Sequence, residues 1–346
     1  MKILITGGTG FLGMILKKHL HKKGHEYVNM DRLGDPLDEM EGRMAVADLR
    51  DAMAVQAVFD HCGPFDIVCH IAGELAHGVT DSRAVWNSNV EGTRNLARAC
   101  RAGGVKKLIF TSTNCLWGRP LNRPVKEDDL PCPVEIYGKS KLAAEKVLRE
   151  FAGSFPVIIF RSSTIISSGR IGLLGILFDF IAEGRNLPVV GKDDKPYQFV
   201  CAEDYAVAIE SALSYENSDT FHIGSDDPVS LKKSYQYVID KAGSSSRIYH
   251  LPKFPTLQAM KFFHFLRLSP LGPYHCGMIA EEFVFDTDRI KKKLHWQPIK
   301  TGEEILYSAY EFYIKNREDE KKSGDSLPAH RKSSRQGIIK LLKWLS

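Results

Sequence analysis

Along the first half of the chain, short runs rich in apolar and β-branched residues alternate with longer stretches whose apolar positions recur at helical spacing. The short runs fall at 2–6, 27–31, 44–47, 66–71, 107–112 and 157–161, and the helical pattern fills 11–23, 51–60, 82–102 and 135–152. The runs have apolar centres and polar outer ends, as expected of strands buried on both faces. The alternation predicts an α/β fold with a doubly wound parallel sheet of six or more strands.

After 161 the rhythm changes, with Ser, Gly and Pro interrupting shorter elements. The expected division is a sheet domain over 1–161 and a smaller mixed α/β lobe over 162–316 that shares elements with the sheet. A polar linker over 317–335 and a basic amphipathic helix over 336–346 are expected to follow.

Composition narrows the classes. At 346 residues, 43% apolar and 26% charged, the chain is an ordinary globular one, and disorder is excluded. The net charge of +5 resides in Arg331, Lys332, Arg335, Lys340 and Lys343, so 1–330 is neutral and carries no footprint for nucleic acid. In 336–346, Lys340 and Lys343 share one sector of a wheel otherwise filled by Ile, Leu and Trp344. Such a segment docks on its own lobe, on the partner in a homodimer, or peripherally on a membrane surface. Seven scattered cysteines without a C-x-x-C pair argue against disulfides and zinc, and the twelve histidines show no ligand spacing. With neither a signal-peptide pattern nor a spanning apolar run, the expectation is a cytoplasmic protein without metal.

Candidate chemistry begins with Thr6-Gly7-Gly8-Thr9-Gly10-Phe11-Leu12-Gly13, which follows a strand and opens a helix. Glycines there let the backbone approach a pyrophosphate at a helix N-terminus, the mark of a Rossmann-type dinucleotide site. Asp31 ends the next strand, where a carboxylate accepts from ribose hydroxyls. Arg32 beside it would instead pair with a 2′-phosphate, so NAD is expected over NADP.

Tyr137-Gly138-Lys139-Ser140-Lys141 opens a helix and puts Tyr137 and Lys141 on one face, one turn apart. An adjacent ammonium stabilises a phenolate and makes Tyr137 a usable acid/base. The hydroxyl cluster Thr111-Ser112-Thr113 ends a central strand, where open α/β sheets bind ligands.

Together with Asp48-Leu49, His70-Ile71-Ala72-Gly73 and Asn89-Val90-Glu91-Gly92-Thr93, these motifs resemble the extended short-chain dehydrogenase/reductase family of the NAD-dependent epimerase/dehydratase type, over about 1–316. The resemblance implies that Asp48 and Leu49 frame the adenine, Ala72 lines the nicotinamide side and Asn89 contacts the cofactor. It also implies that Thr113 binds the substrate oxygen, Tyr137 is the acid/base and Lys141 binds the nicotinamide ribose.

Departures from the family pattern bear on the substrate. Asn114-Cys115 stands where dehydratases carry Asp-Glu, which argues against dehydration. Thr164 and Tyr197 stand where sugar-nucleotide epimerases usually place an Asn and a diphosphate-binding Arg, and the late Arg-x-Gly-Asp is missing from 277–286. Ser112, Asn114, Thr164 and Tyr197 are the substrate candidates, with Arg170, Arg185, Lys192 and Lys195 as substitute cations. The expected activity is epimerisation or redox chemistry at a secondary alcohol or ketone, on a sugar or sugar-nucleotide-like substrate. The alternatives are a 3β-hydroxysteroid dehydrogenase-like enzyme of an apolar or lipid-linked substrate, with Phe262, Phe263, Phe265 and Leu266 walling the pocket, and a catalytically silent NAD(P)-sensing scaffold.

Overall fold

The computed structural model describes residues 1–75, 81–169, 174–191, 194–266 and 282–323. Its body is a seven-stranded parallel sheet of β1 (Lys2–Thr6), β2 (Glu26–Asp31), β3 (Met44–Val46), β4 (Ile67–His70), β5 (Lys107–Thr113), β6 (Val157–Ser162) and β10 (Asp219–Ile223). The spatial order is β10-β6-β5-β4-β1-β2-β3. The chain leaves β1 toward β3 and then returns to β4 on β1's other side. That reversal opens a crevice at the strands' C-terminal ends.

Strand alternation explains the double covering. Ile3, Ile5, Ile109 and Ile158 pack with α1 (Phe11–Lys22) and α8 (Ala202–Ala212). Their neighbours Leu4, Phe110 and Ile159 pack on the other face with α3 (Ala52–Cys62), α5 (Gly92–Ala102) and α6 (Ile136–Glu150). Period-two side chains that are apolar on both sides need helices on both sides.

The C-terminal lobe contains β7 (Thr164–Ile166) paired with β9 (Phe199–Cys201), and β8 (Leu187–Val190) paired with β11 (Ile248–Leu251). Its core joins α7 (Leu174–Ala182) to α9 (Leu231–Ala242) and to the last described helix, Gly302–Ser323, through Phe178, Val238 and Tyr310. Two elements of the sheet layer come from beyond residue 161: β10 is a strand of the sheet and α8 packs on its face.

Three local features differ from the sequence expectation. A short α2 (Pro36–Met40) was not expected, and the expected helix over 82–102 is α4 (Ser82–Trp86), a π turn (Asn87–Glu91) and α5. The helix Gly302–Ser323 runs into the expected linker. Arg317 ties it to α7 and its end by pairing with Asp179 at 3.0 Å and Glu183 at 2.6 Å. The 336–346 segment lies outside the described residues. Among those described, no helix is long and apolar enough to cross a membrane, and no cluster of His, Cys, Asp and Glu could hold a metal ion.

Candidate functional site

The glycine turn leaves β1 at the crevice. Gly7 has φ +76°, and a Cβ there would lie 2.8 Å from the Ala72 backbone, so only glycine allows the turn to close on the chain leaving β4. Gly10 caps α1 and its N–H donates to the Gly7 carbonyl at 3.1 Å. Phe11 and Leu12 are buried in the core with Leu16, and Gly13 is buried in the helix, so this turn offers backbone rather than side chains. Ala72 N–H donates to the Thr6 carbonyl at 3.0 Å.

Asp31 stands at the end of β2 and accepts from Thr9 N–H at 3.2 Å and Leu33 N–H at 3.2 Å. Arg32 turns to Glu74 at 2.9 Å, bridging the loops after β2 and β4. Asp48 is held by Arg50, whose guanidinium keeps its carboxyl below the usual range. Leu49 is buried, with its carbonyl accepting from Asn95 Nδ2 at 3.0 Å.

Asn89 sits on the π turn, a distortion that often marks functional segments. Its Oδ1 accepts from Glu74 N–H at 2.7 Å, and its Nδ2 donates to the Glu74 carbonyl at 3.0 Å and to Ser140 Oγ at 2.9 Å. Both donors are engaged within the protein, so Asn89 braces the Gly73–Glu74 loop against α6. Beneath it, His70 lies between Thr6 Oγ1 at 2.7 Å and Thr93 Oγ1 at 2.8 Å. Thr93 donates its only hydroxyl proton to the Asn89 carbonyl at 2.6 Å, so His70 Nε2 is the donor to Thr93 and Nδ1 accepts from Thr6.

Burial holds His70 neutral, with its pKa lowered from 6.5 to about 3. The folded value is the lower one, so unfolding takes up a proton between these limits and stability falls as pH drops from 6.5 toward 3. His222, also buried, is shifted the same way. The urea midpoint should therefore be lower at pH 5 than at pH 7, and His70→Gln should flatten that dependence by about one proton.

Tyr137 and Lys141 lie on the first turns of α6. This turn packs so closely on the chain after β5 that a Cβ at Gly138 would collide with the Cys115 carbonyl. The same contact brings the Tyr137 turn against the segment opened by Thr113. Thr113 is buried at the end of β5, with Oγ1 accepting from Cys115 N–H at 3.1 Å. Lys141 Nζ lies 4.1 Å from the Phe110 ring centroid and 3.6 Å from the place a Gly73 Cβ would take. Burial pulls its pKa down to about 7 while Glu145 opposes the shift. Tyr205 donates to Thr111 Oγ1 at 3.1 Å, close enough to feel charge on Tyr137.

Ser112 turns away from the crevice and donates to Glu145 Oε1 at 2.6 Å. Arg161 grips the same buried carboxylate with Nε to Oε1 at 3.0 Å and Nη2 to Oε2 at 2.7 Å. This network joins α6 to β5 and β6, and sequence reasoning missed it along with Glu74 and Ser140. Asn114 is buried at the end of β5, while Thr164 Oγ1 and Tyr197 OH meet at 2.9 Å. A cavity of about 300 Å³ lined by Ser82, Arg83, Trp86, Asn87 and Ile136 opens beside Tyr137's turn. Arg170 and Lys192 lie outside the described residues, as does 277–281. Phe262 and Leu266 are exposed rather than enclosed in a pocket.

The profile of the NAD dependent epimerase/dehydratase family matches residues 3–224. The chain belongs to this family. The uncharacterized protein y4nG of Sinorhizobium fredii is 31% identical to it over 99% of this chain and 85% of that one. The UDP-glucose 4-epimerase of Streptomyces lividans is 30% identical over 59% of this chain and 67% of its own. The solved structure of the Bordetella bronchiseptica enzyme WbmG in complex with NAD has the same fold, with a TM-score of 0.75 at 23% identity, covering 91% of this chain and 94% of that one.

NAD is the cofactor of the epimerase/dehydratase family, and the residues here fit it. The N-terminus of α1, opened by the Gly7 turn, would hold the pyrophosphate. Asp31 would hold the adenosine ribose, and the engagement of Arg32 with Glu74 favours the unphosphorylated dinucleotide.

Proposed function

We propose that this protein is an NAD-dependent epimerase of a sugar nucleotide, acting by reversible oxidation of a ring hydroxyl with Thr113, Tyr137 and Lys141. The reading rests on the buried Lys141 amine between Phe110 and Gly73, one helical turn from Tyr137, which in its charged form favours a phenolate. NAD, when bound, accepts and returns the hydride. Tyr137 takes the proton of the substrate hydroxyl and gives it back after the ketone has turned over. Thr113 holds the oxygen, and Asn114-Cys115 supplies no acid–base pair for loss of water.

Incubation with UDP-glucose and UDP-N-acetylglucosamine should give the C4 epimer by NMR without accumulating NADH. Net NADH with a released ketone, or a dehydrated product, would overturn epimerisation. A second reading, oxidoreduction of an apolar alcohol or ketone, is favoured by the Thr164–Tyr197 hydrogen bond, which puts two neutral groups where the family's diphosphate contacts are expected. An apolar ketone panel reporting NADH oxidation tests it.

A further inference from the structure

The lobe carries an apolar helix that faces outward. The helix α10 (Lys253–Phe265) has apolar residues around most of its circumference, which in a soluble chain normally means burial. Only part of it is covered: Leu257, Met260 and Phe263 are half-buried, while Phe254, Phe262 and Leu266 are 74%, 57% and 45% exposed. With exposed Gln258 these three form a row at four-residue spacing along one face. The backbone continues that row, since Leu266 N–H donates to the Phe262 carbonyl at 3.1 Å.

Charge says what this face suits. The sequence has no Asp or Glu between Asp240 and Glu281, yet carries Lys241, Arg247, Lys253, Lys261 and Arg267, a net +5. With a further +5 in 331–346, the whole chain's +5 leaves −5 for everything else. Within α10 itself the charged residues are Lys253 and Lys261, and the helix carries no acid. Lys261 is exposed on the margin of the row. Aromatic and leucine side chains on a helix that has lysine on the margin of the row and no acid of its own match an anionic lipid interface. Asp194 stands just beyond Gly191, which adjoins the helix's first residue, Lys253, at the opposite end from Leu266. A nucleic acid strand would instead need a groove to track its backbone.

We propose that the outer face of α10 docks the protein on an anionic membrane surface, with Phe254, Phe262 and Leu266 entering the headgroup region and Lys261 meeting lipid phosphate. The contact is independent of the reaction assigned to the crevice.

Flotation of the full chain tests this with vesicles of phosphatidylcholine and with equal parts phosphatidylcholine and phosphatidylglycerol. Binding is expected to the anionic vesicles only and to weaken with salt. The full-chain variants Phe254→Ser/Phe262→Ser and Lys261→Glu should each bind about tenfold less or weaker still, with unchanged far-UV circular dichroism and melting. Equal flotation with neutral vesicles, or unchanged binding by both variants, overturns the proposal. So does loss of binding only in Trp344→Ser/Leu345→Ser, which would assign it to the C-terminal segment. A dimer that Phe254→Ser/Phe262→Ser dissociates in sedimentation, without flotation of the parent protein, points to a second copy as the occupant and overturns it too. Binding of a single-stranded oligonucleotide in place of vesicles has the same consequence.

Discussion

Tyr137→Phe is expected to lower kcat by about 10² to 10⁴-fold while leaving the Kd for NAD near its parent value. The change removes one oxygen and keeps the ring that fills the first turn of α6. In the proposed reaction it deletes the proton acceptor for the substrate hydroxyl. Lys141 keeps its packing against Phe110 and Gly73. Single-turnover formation of bound NADH, followed by its absorbance, reads the step directly. A variant that forms NADH at the parent rate would remove Tyr137 from the proton transfer.

Arg161→Met is expected to cost about 3 to 5 kcal/mol of stability, read from urea midpoints. Both Glu145 oxygens face Arg161 at hydrogen-bond distance, and the pair's side chains are 4% and 1% exposed. Removing the guanidinium strands a buried carboxylate that Ser112 and the partly exposed Arg149 only partly satisfy. Arg161→Met/Glu145→Leu should recover much of the loss, because two apolar side chains leave no uncompensated charge. If the double variant were as unstable as the single one, packing rather than charge would be the cause.

The strands of the sheet were legible because burial on both faces demands continuous apolar runs, as in Ile3-Leu4-Ile5 and Val157-Ile158-Ile159-Phe160. The glycine turn and the Tyr137–Lys141 pair were legible because their chemistry needs contiguous residues at fixed spacing. Ser112 and Thr113 were read as one hydroxyl cluster, but strand alternation sends Ser112 to Glu145 and leaves Thr113 at the strand end. Pairs such as Arg161–Glu145 and Arg32–Glu74 join separate elements, and no local pattern announces them. The π turn was hidden because 87–95 offers Val90 as its one large apolar side chain, too little for a period to show the extra residue between Val85 and Val90. The helix Gly302–Ser323 overran its expected end because its polar last turns owe their place to Arg317 rather than to apolar periodicity.

The seventh strand reaches the sheet late. Between β6 and β10 the chain builds β7, α7, β8, β9 and α8, so β6 waits for its outer neighbour until much of the lobe has been made. During synthesis β6 is an edge, with a row of unpaired backbone groups flanked by Ile158, Ile159 and Phe160. A chain ending near residue 161 would keep that edge permanently and offer it to other copies as a template. Cutting at the apparent domain boundary would therefore yield an aggregating fragment rather than a free-standing nucleotide-binding unit. The sheet half thus depends on the lobe to cover its open edge.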